Sequence, residues 1–294
     1  MWNKIVAFFM SIIAFFASLF GINMNTDTDY RYTDLAYGSH ERQVLDLYLP
    51  ENMQGETGLV LMIHGGAWIA GDKEGYKDAL EYASTSLGIA AAAINYRYLG
   101  ENVTIHDILD DIDAALAVIK EKGAKTGLDI NKVLLTGSSA GAHLSMLYAY
   151  SRDDTAPVKP VAVVSNCGPT DLTDEGFYIG NALGDEETIS YLMSLCIGKN
   201  FSYAEKDAYI EELKAVSPLY YVDESTVPTV VNHGKVDDIV PFSNATALVE
   251  SFEKNGVKYD FNVYPNSGHG LDNDPEIRAK SEELLMEYIS TYLG

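Results

Sequence analysis

Seven stretches of the chain have the hydrophobic pattern of β-strands. The first alternates apolar and polar residues, and most of the others are short apolar runs bounded by turn-forming residues. Continuous apolar runs of about five to eight residues are typical of strands that are buried on both faces of a sheet. The predicted strands are 43–49, 58–63, 88–95, 132–136, 161–165, 227–232 and 258–264.

Amphipathic helices are predicted between and after these strands. Apolar residues recur at helical spacing from Ile105 to Ile119, with acidic residues on or near the opposite side, and recur again over 284–292. Strands that alternate with helices predict an α/β fold, in which a mostly parallel sheet has helices on both faces. The region around 170–219 interrupts this alternation. We interpret it as a cap inserted between two strands and not as a second domain.

The N-terminus is the most hydrophobic part of the sequence. Residues 5–22 carry no charge, and Lys4 is the only cation before them. The run exceeds the apolar core of a signal peptide, about 7–15 residues, and no A-x-A cleavage site follows it. It therefore favours a membrane anchor over a cleaved secretory signal or a buried core helix, and the first two would leave the body outside the cytoplasm. The predicted domains are a hydrophobic segment, 1–24, and a folded domain, 25–294.

The net charge and the cysteine content limit the classes of partner and the covalent bonds that the sequence predicts. The 294 residues include 43 acids against 20 Lys and Arg, which gives a formal net charge of −23. Such a field repels phosphate backbones, so the sequence predicts no nucleic acid partner. Cys167 and Cys196 are too few for a disulfide framework and match no metal-binding pattern. We predict two buried thiols, with a single disulfide as the alternative.

One segment has the pattern of a turn that exposes a nucleophile. The sequence from Thr136 to His143, T-G-S-S-A-G-A-H, follows a predicted strand, precedes a helical pattern and contains G-x-S-x-G. Glycines flank the serine because the turn is so sharp that side chains there would clash. Ser139 occupies the nucleophile position, and Ser138 occupies the variable one. The pattern alone is also compatible with an ordinary tight turn.

The C-terminal third offers the base and the acid that a serine nucleophile requires. A serine hydroxyl is a weak nucleophile at neutral pH and needs a histidine that is oriented by a carboxylate. Asp237 and Asp238 follow the predicted strand 227–232, and His269 lies in a glycine-flanked turn after the last predicted strand. The chain order Ser, Asp, His matches that of a nucleophile-elbow enzyme. The spacing does not decide between the two aspartates.

The segment M-I-H-G-G-A-W, residues 62–68, is a candidate oxyanion hole. Backbone N–H groups that stabilise a tetrahedral oxyanion must approach the substrate closely, and glycines permit that approach. The candidate donors are Gly65, Gly66 and Ala67, together with Ala140 next to Ser139. Trp68 is expected to line the substrate pocket. The neighbouring histidines, His64, His143 and His233, are interpreted as structural.

Together, H-G-G-A-W, N-Y-R-Y, G-S-S-A-G-A-H-L, H-G-x-x-D-x-x-V-P and S-G-H-G resemble the motifs of the α/β-hydrolase superfamily. Within it, they are similar to the esterase branch with hormone-sensitive-lipase-like enzymes, kynurenine formamidases and bacterial acetyl or feruloyl esterases. The resemblance covers the chain from about Tyr30 to its end and selects Asp237 as the acid. Ala67, Ser138 and Ala142 depart from the hormone-sensitive-lipase-like pattern, so the H-G-G-x-W esterases are the closer match, and they imply small acyl groups.

The resemblance implies that 25–294 is a catalytic domain, a serine carboxylesterase with the triad Ser139, Asp237 and His269. Such an enzyme needs no metal or cofactor. Its expected substrates are small-molecule or carbohydrate esters with short acyl groups, met outside the cytoplasm. A formamidase or amidase is an alternative, as is a prolyl-oligopeptidase-like peptidase, although the latter usually carries an N-terminal propeller. The alternative outside enzymes is a catalytically silent binding module on this fold. The oligomeric state is left open.

Overall fold

The computed structural model describes residues 30–51 and 53–294. The predicted anchor or signal, 5–22, and the predicted boundary between 24 and 25 lie outside the described residues. Within those residues, no helix combines the length and the hydrophobicity that a membrane span requires.

The described residues form one eight-stranded sheet with the strand order β1-β2-β4-β3-β5-β6-β7-β8. The strands β1 and β2, and β2 and β4, pair antiparallel, and all later neighbours pair parallel. The bounds are β1 Arg31–Ala36, β2 Val44–Tyr48, β3 Gly55–Ile63, β4 Ala90–Ile94, β5 Leu128–Ser138, β6 Lys159–Asn166, β7 Thr229–Gly234 and β8 Tyr259–Tyr264. The prediction of a mostly parallel sheet is confirmed.

The burial of each strand explains whether its sequence pattern predicts it. Every residue of β4 is buried, as is the apolar half of β3, so these strands appear as continuous apolar runs. Strand β7 is buried throughout as well, but only its first half is mainly apolar. Strand β1 is an edge strand with no fully buried residue, and it was not predicted. An edge strand with one solvated face has no such run to reveal it.

Helices cover both faces of the sheet, as predicted. On one face lie α2, α3 and α6, whose apolar residues join a core cluster with Leu61 and Val231; on the other lie α1 and α7, which pack on Val60 and Leu134. The bounds are α1 Lys77–Tyr82, α2 Ile105–Lys125, α3 Ala140–Ser151, α4 Glu186–Ile197, α5 Ile210–Ala215, α6 Phe242–Asn255 and α7 Pro275–Tyr292. The helical patterns predicted over 105–119 and 284–292 lie within α2 and α7.

The predicted cap region, 170–219, contains α4, α5 and short 3-10 turns between β6 and β7. Its start is fixed to α6, because Asn244 Oδ1 accepts hydrogen bonds from the backbone N–H groups of Thr170 and Asp171, both at 2.8 Å. Apolar residues of α4 join the core cluster on the α3 face. The cap therefore packs on the same side of the sheet as α3, the helix that follows Ser139. Cys167 and Cys196 are both buried and free, which confirms the predicted thiols.

Candidate active site

Ser139 lies in a strained turn between β5 and α3. Its backbone has φ 55° and ψ −123°, a conformation that L-residues rarely adopt. A Cβ atom on Gly137 would lie 2.5 Å from the Ile63 carbonyl oxygen, and one on Gly141 would lie 2.0 Å from the same oxygen. Both glycines are therefore sterically required, because the turn presses against the end of β3.

The two neighbouring serines differ in position. Ser138 is the last residue of β5 and pairs in register with Asn166 of β6, whereas Ser139 occupies the turn itself. Ser139, but not Ser138, lines a cavity beneath the cap. The geometry thus directs the side chain of Ser139, and not that of Ser138, towards the space that a substrate would fill.

Asp237 and His269 form a buried hydrogen-bonded pair. His269 Nδ1 donates to Asp237 Oδ2 at 2.8 Å, and Asp237 Oδ1 accepts from the N–H groups of Ile239 and Val240, both at 2.9 Å. Burial acts to raise the pKa of Asp237, but its hydrogen bonds and the neighbouring histidines hold that pKa below its ordinary value. Asp238, in contrast, is exposed. The structure therefore pairs His269 with Asp237.

His233 closes the loop that carries Asp237. Its Nε2 donates to the Val240 carbonyl at 3.0 Å and lies 3.6 Å from Asp237 Oδ2. Burial lowers the pKa of His233, so this ring is neutral near pH 7. Cys167 Sγ lies close to both groups, and these three side chains could in principle offer metal ligands. His233 Nε2 and both oxygens of Asp237 are already committed to hydrogen bonds that shape this loop.

The loops after β7 and β8 contact each other. A Cβ atom on Gly234 would lie 2.3 Å from the Gly268 carbonyl oxygen, and the Val236 N–H donates to the Ser267 carbonyl at 3.2 Å. Asp274 fixes the second loop, since its Oδ2 accepts from Ser267 Oγ at 2.6 Å. Sequence reasoning missed Asp274. The S-G-H-G motif ends before it, and only the fold shows that the chain returns.

The glycine loop after β3 lies directly against the Ser139 turn. A Cβ atom on Gly65 would lie 2.6 Å from the Ser138 carbonyl oxygen and 3.3 Å from Ser139 Cβ. Gly66, Ala67 and Trp68 all have positive φ, at 119°, 49° and 59°. Ala140 is the first residue of α3, where the backbone N–H groups have no partner within the helix. The fold thus brings the glycine loop and the start of α3, which contain the four predicted oxyanion donors, next to the Ser139 turn.

Arg42 supports this loop from behind, and sequence reasoning missed it. The Arg42 Nη2 donates to Nε2 of His64 at 3.1 Å. The other ring nitrogen of His64, Nδ1, donates to the Gly65 carbonyl at 2.8 Å. Burial lowers the pKa of His64 to about 4, so the ring is neutral and can accept from Arg42. A single arginine in a polar turn carries no local signal of this contact.

Trp68 links the glycine loop to the cap. Its Nε1 donates to His143 Nδ1 at 3.2 Å, and His143 Nε2 donates to the Val216 carbonyl at 2.7 Å. Burial lowers the pKa of His143 to about 4, which keeps the ring neutral in this relay. The histidine predicted to be structural therefore connects the Ser139 helix, the glycine loop and the cap.

A small apolar cavity adjoins Ser139. Its volume is about 20 Å³, and Ala67, Trp68 and Ala140 line it together with Ser139. The cap and the loop after β7 supply further lining residues, which include Phe177, Leu183, Ile189, Leu192, Met193, Ile239 and Val240. Such a cavity fits a small hydrocarbon group next to the serine.

The fold and this site define an α/β hydrolase of the esterase and lipase branch. The model of the BD-FAE family, an α/β-hydrolase esterase family, matches residues 45–252, and the chain belongs to that family. The match spans both the glycine loop and the loop that carries Asp237.

Curated relatives include esterases from plants and bacteria. The chain is 26% identical over 268 residues to a probable isoprenylcysteine alpha-carbonyl methylesterase of Oryza sativa subsp. japonica, covering 87% of this chain and 61% of the relative. It is 29% identical over 274 residues to the probable carboxylic ester hydrolase LipM of Mycobacterium tuberculosis, covering 88% and 61%. The chain thus spans about 61% of the length of these relatives.

Solved structures share the fold. Esterase B from Lactobacillus rhamnosis superposes with a TM-score of 0.73 at 21% identity, covering 98% of this chain and 92% of that one. A truncated carbohydrate esterase from gut microbiota superposes with a TM-score of 0.64 at 23% identity, covering 90% and 99%. At these identities the similarity shows the fold alone.

Proposed function

We propose that the protein is a serine carboxylesterase that hydrolyses short-acyl esters, with Ser139 as nucleophile, His269 as base and Asp237 as the orienting acid. The observation that carries the proposal is the buried 2.8 Å hydrogen bond between Asp237 and His269 at the sheet edge where Ser139 occupies its strained turn. Family membership supports the same reaction class.

Asp237 prepares His269 to accept a proton. Because Asp237 accepts from Nδ1, the tautomer with a proton on that nitrogen is favoured, and Nε2 is left as the basic atom. Nε2 takes the hydroxyl proton as Ser139 Oγ attacks the acyl carbon, and then delivers it to the leaving alcohol. The ionised Asp237 stabilises the imidazolium that forms between these steps. Water releases the acyl group by the same sequence of proton transfers.

The backbone N–H groups of Gly65, Gly66, Ala67 and Ala140 are proposed to hold the oxyanion. Preorganised donors stabilise the charge that develops on the carbonyl oxygen without having to reorganise, and the loss of one donor typically costs about 10²–10³ in rate. The Arg42–His64 contact and the Trp68–His143 contact hold this loop in place before substrate arrives.

The cavity next to Ser139 supports the preference for short acyl groups. A cavity needs about 10–15 Å³ to hold one water molecule, so a volume of about 20 Å³ accepts an acetyl methyl group and little more. Leu192 and Met193 of α4 line the same cavity, so a longer acyl chain that enters it would have to move these side chains.

The proposal also covers the alcohol half of the substrate and the location of the protein. A carbohydrate ester is favoured as substrate because one solved structure of the same fold is named as a carbohydrate esterase. The uncharged segment 5–22 supports an extracytoplasmic location, with that segment as a membrane anchor.

The test is a substrate panel on the full chain, purified in a mild detergent. Wild type and Ser139→Ala are compared on p-nitrophenyl acetate, butyrate and palmitate, on acetylated xylan and on an aminoacyl anilide. We expect acetate to be the best nitrophenyl ester, and Ser139→Ala to be inactive. Equal hydrolysis of the acetate ester by both proteins contradicts the proposal, and faster cleavage of palmitate contradicts its short-acyl part. Faster cleavage of the anilide favours an amidase or peptidase.

A further inference from the structure

Three asparagines lie in register on neighbouring strands directly behind the Ser139 turn. Asn166 pairs with Ser138 of β5, Asn232 of β7 pairs with Asn166, and Asn262 of β8 pairs with Asn232. Their side chains are also joined, since Asn232 Nδ2 donates to Asn166 Oδ1 and Asn262 Nδ2 donates to Asn232 Oδ1, both at 2.9 Å. We call Asn166, Asn232 and Asn262 the asparagine row.

The row ends on the turn itself. Asn166 Nδ2 donates to the Gly137 carbonyl at 3.1 Å, and the Asn166 carbonyl accepts from the Ser139 N–H at 2.8 Å. One residue therefore binds the backbone on both sides of Ser138. A non-glycine residue with φ near 55° persists only where its surroundings over-determine its conformation. Residue 166 supplies two of those constraints, one from its main-chain carbonyl and one from its side-chain amide.

The direction of every amide in the row follows from the Gly137 carbonyl. That oxygen can only accept, so Asn166 must present its Nδ2 there and its Oδ1 to Asn232. The same logic directs Asn232 and then Asn262. Ser281 Oγ is a second donor to the side-chain oxygen Oδ1 of Asn232, at 2.9 Å. The amide dipoles thus align head to tail, with their N–H ends towards the turn.

This arrangement is costly for a role in packing alone. Asn232 and Asn262 are only 2% and 3% exposed, and Asn262 Oδ1 is buried without a hydrogen-bond partner among the described residues. Buried amides cost stability unless they are bonded, whereas apolar side chains at these strand positions would carry no such cost. A fixed polar network can instead hold its members in one geometry.

We propose that the asparagine row positions the nucleophile: the Asn166 side chain holds the Gly137 carbonyl at the start of the Ser139 turn, and Asn232 and Asn262 hold that side chain in place. These are positioning residues, since they act on the reaction through the turn. The inference rests on the proposed function, because it assigns the row a part in the reaction of Ser139.

The test compares Asn166→Ala with Thr136→Val in the full chain. Thr136 is the matched control, because its buried Oγ1 also bridges β5 and β6, donating to the Val164 carbonyl at 2.9 Å, but does not touch the turn. Two quantities are measured: kcat per active site, with sites titrated by an organophosphonate, and hydrogen–deuterium exchange of a peptide that contains 137–141. Normalisation to titrated sites removes any contribution from unfolded protein.

We expect Asn166→Ala to lower kcat roughly ten- to hundred-fold with little change in KM, and to speed exchange at 137–141. Asn262→Ala, at the far end of the row, should lower kcat less than Asn166→Ala does. Thr136→Val should leave both quantities at their wild-type values. Wild-type kcat and exchange in Asn166→Ala overturn the inference, as does an equal loss in Thr136→Val. If the wild type itself hydrolyses no ester, the proposed function fails, and the exchange comparison alone decides the inference.

Discussion

Gly65→Ala isolates the fit between the glycine loop and the Ser139 turn. The backbone of Gly65 does not have a positive φ, so alanine is compatible with its conformation, and only the space around it opposes the change. The added Cβ atom would lie 2.6 Å from the Ser138 carbonyl oxygen, where real Cβ contacts essentially never fall below 3.0 Å. The loop and the turn must therefore separate by at least the difference of 0.4 Å.

A separation of this size moves the oxyanion donors relative to the nucleophile. A misplacement of about 1 Å can cost about 100-fold in rate, so we expect roughly a ten-fold loss in kcat, equivalent to about 1.4 kcal/mol, with KM nearly unchanged. The assay is steady-state hydrolysis of p-nitrophenyl acetate, with active sites titrated to count competent enzyme.

Gly100→Ala is the control for the glycine substitution. Gly100 does not have a positive φ either, and a Cβ atom there meets no other atom within 4 Å. It should therefore keep the wild-type kcat. If Gly65→Ala also keeps it, the loop does not hold the oxyanion in the way we propose.

Three other predictions follow from the contacts of the site. Asp237→Asn should lower kcat by about 10⁴ in ester hydrolysis, because the amide favours the wrong tautomer of its histidine partner, whereas Asp238→Asn should not, and equal losses would contradict the assignment of the acid. The pKa of His143 is about 4 in the folded protein and about 6.5 in the unfolded chain, so the unfolded chain binds the proton more tightly. The free energy of unfolding therefore decreases as the pH falls from about 6.5 to 4, by about 3 kcal/mol at pH 4. In urea unfolding at each pH, His143→Gln should flatten the stability curve over this window, and an unchanged slope would refute the buried neutral ring. Met193→Ala should enlarge the cavity and so shift the preference in kcat/KM from p-nitrophenyl acetate towards the butyrate ester. Leu195→Ala, on the same helix but outside the cavity lining, should leave that preference unchanged. An unchanged preference in Met193→Ala would show that the cap does not select the acyl group.

Local patterns carried the information for the sheet and for the motif-bearing turns. Strands buried on both faces are mostly apolar, and the Ser139 turn needs Gly137 and Gly141 because a Cβ atom at either would clash with the end of β3. These requirements concern residues that are neighbours in the sequence, so short segments are enough to predict the strands and the turn. The choice of Asp237 over Asp238 needed the family motif, because the two differ only in which one the fold buries.

The supports of the site could not be predicted in this way. Arg42 contacts the glycine loop only because the fold places the segment before β2 next to the loop after β3, and Asp274 contacts the S-G-H-G turn only because the chain folds back after it. The asparagine row depends on the register of three strands that are far apart in the sequence. An arginine, an aspartate or an asparagine in isolation has many ordinary uses, and nothing local distinguishes these.

The identity of the nucleophile is the central claim, and covalent labelling tests it most directly. The full chain is treated with a p-nitrophenyl phosphonate ester, digested and analysed by peptide mass spectrometry, with Ser138→Ala and Ser139→Ala in parallel. We expect one label, on Ser139, that persists in Ser138→Ala, disappears in Ser139→Ala and forms in step with the loss of esterase activity. A label on Ser138, or ester hydrolysis that survives in Ser139→Ala, would contradict it.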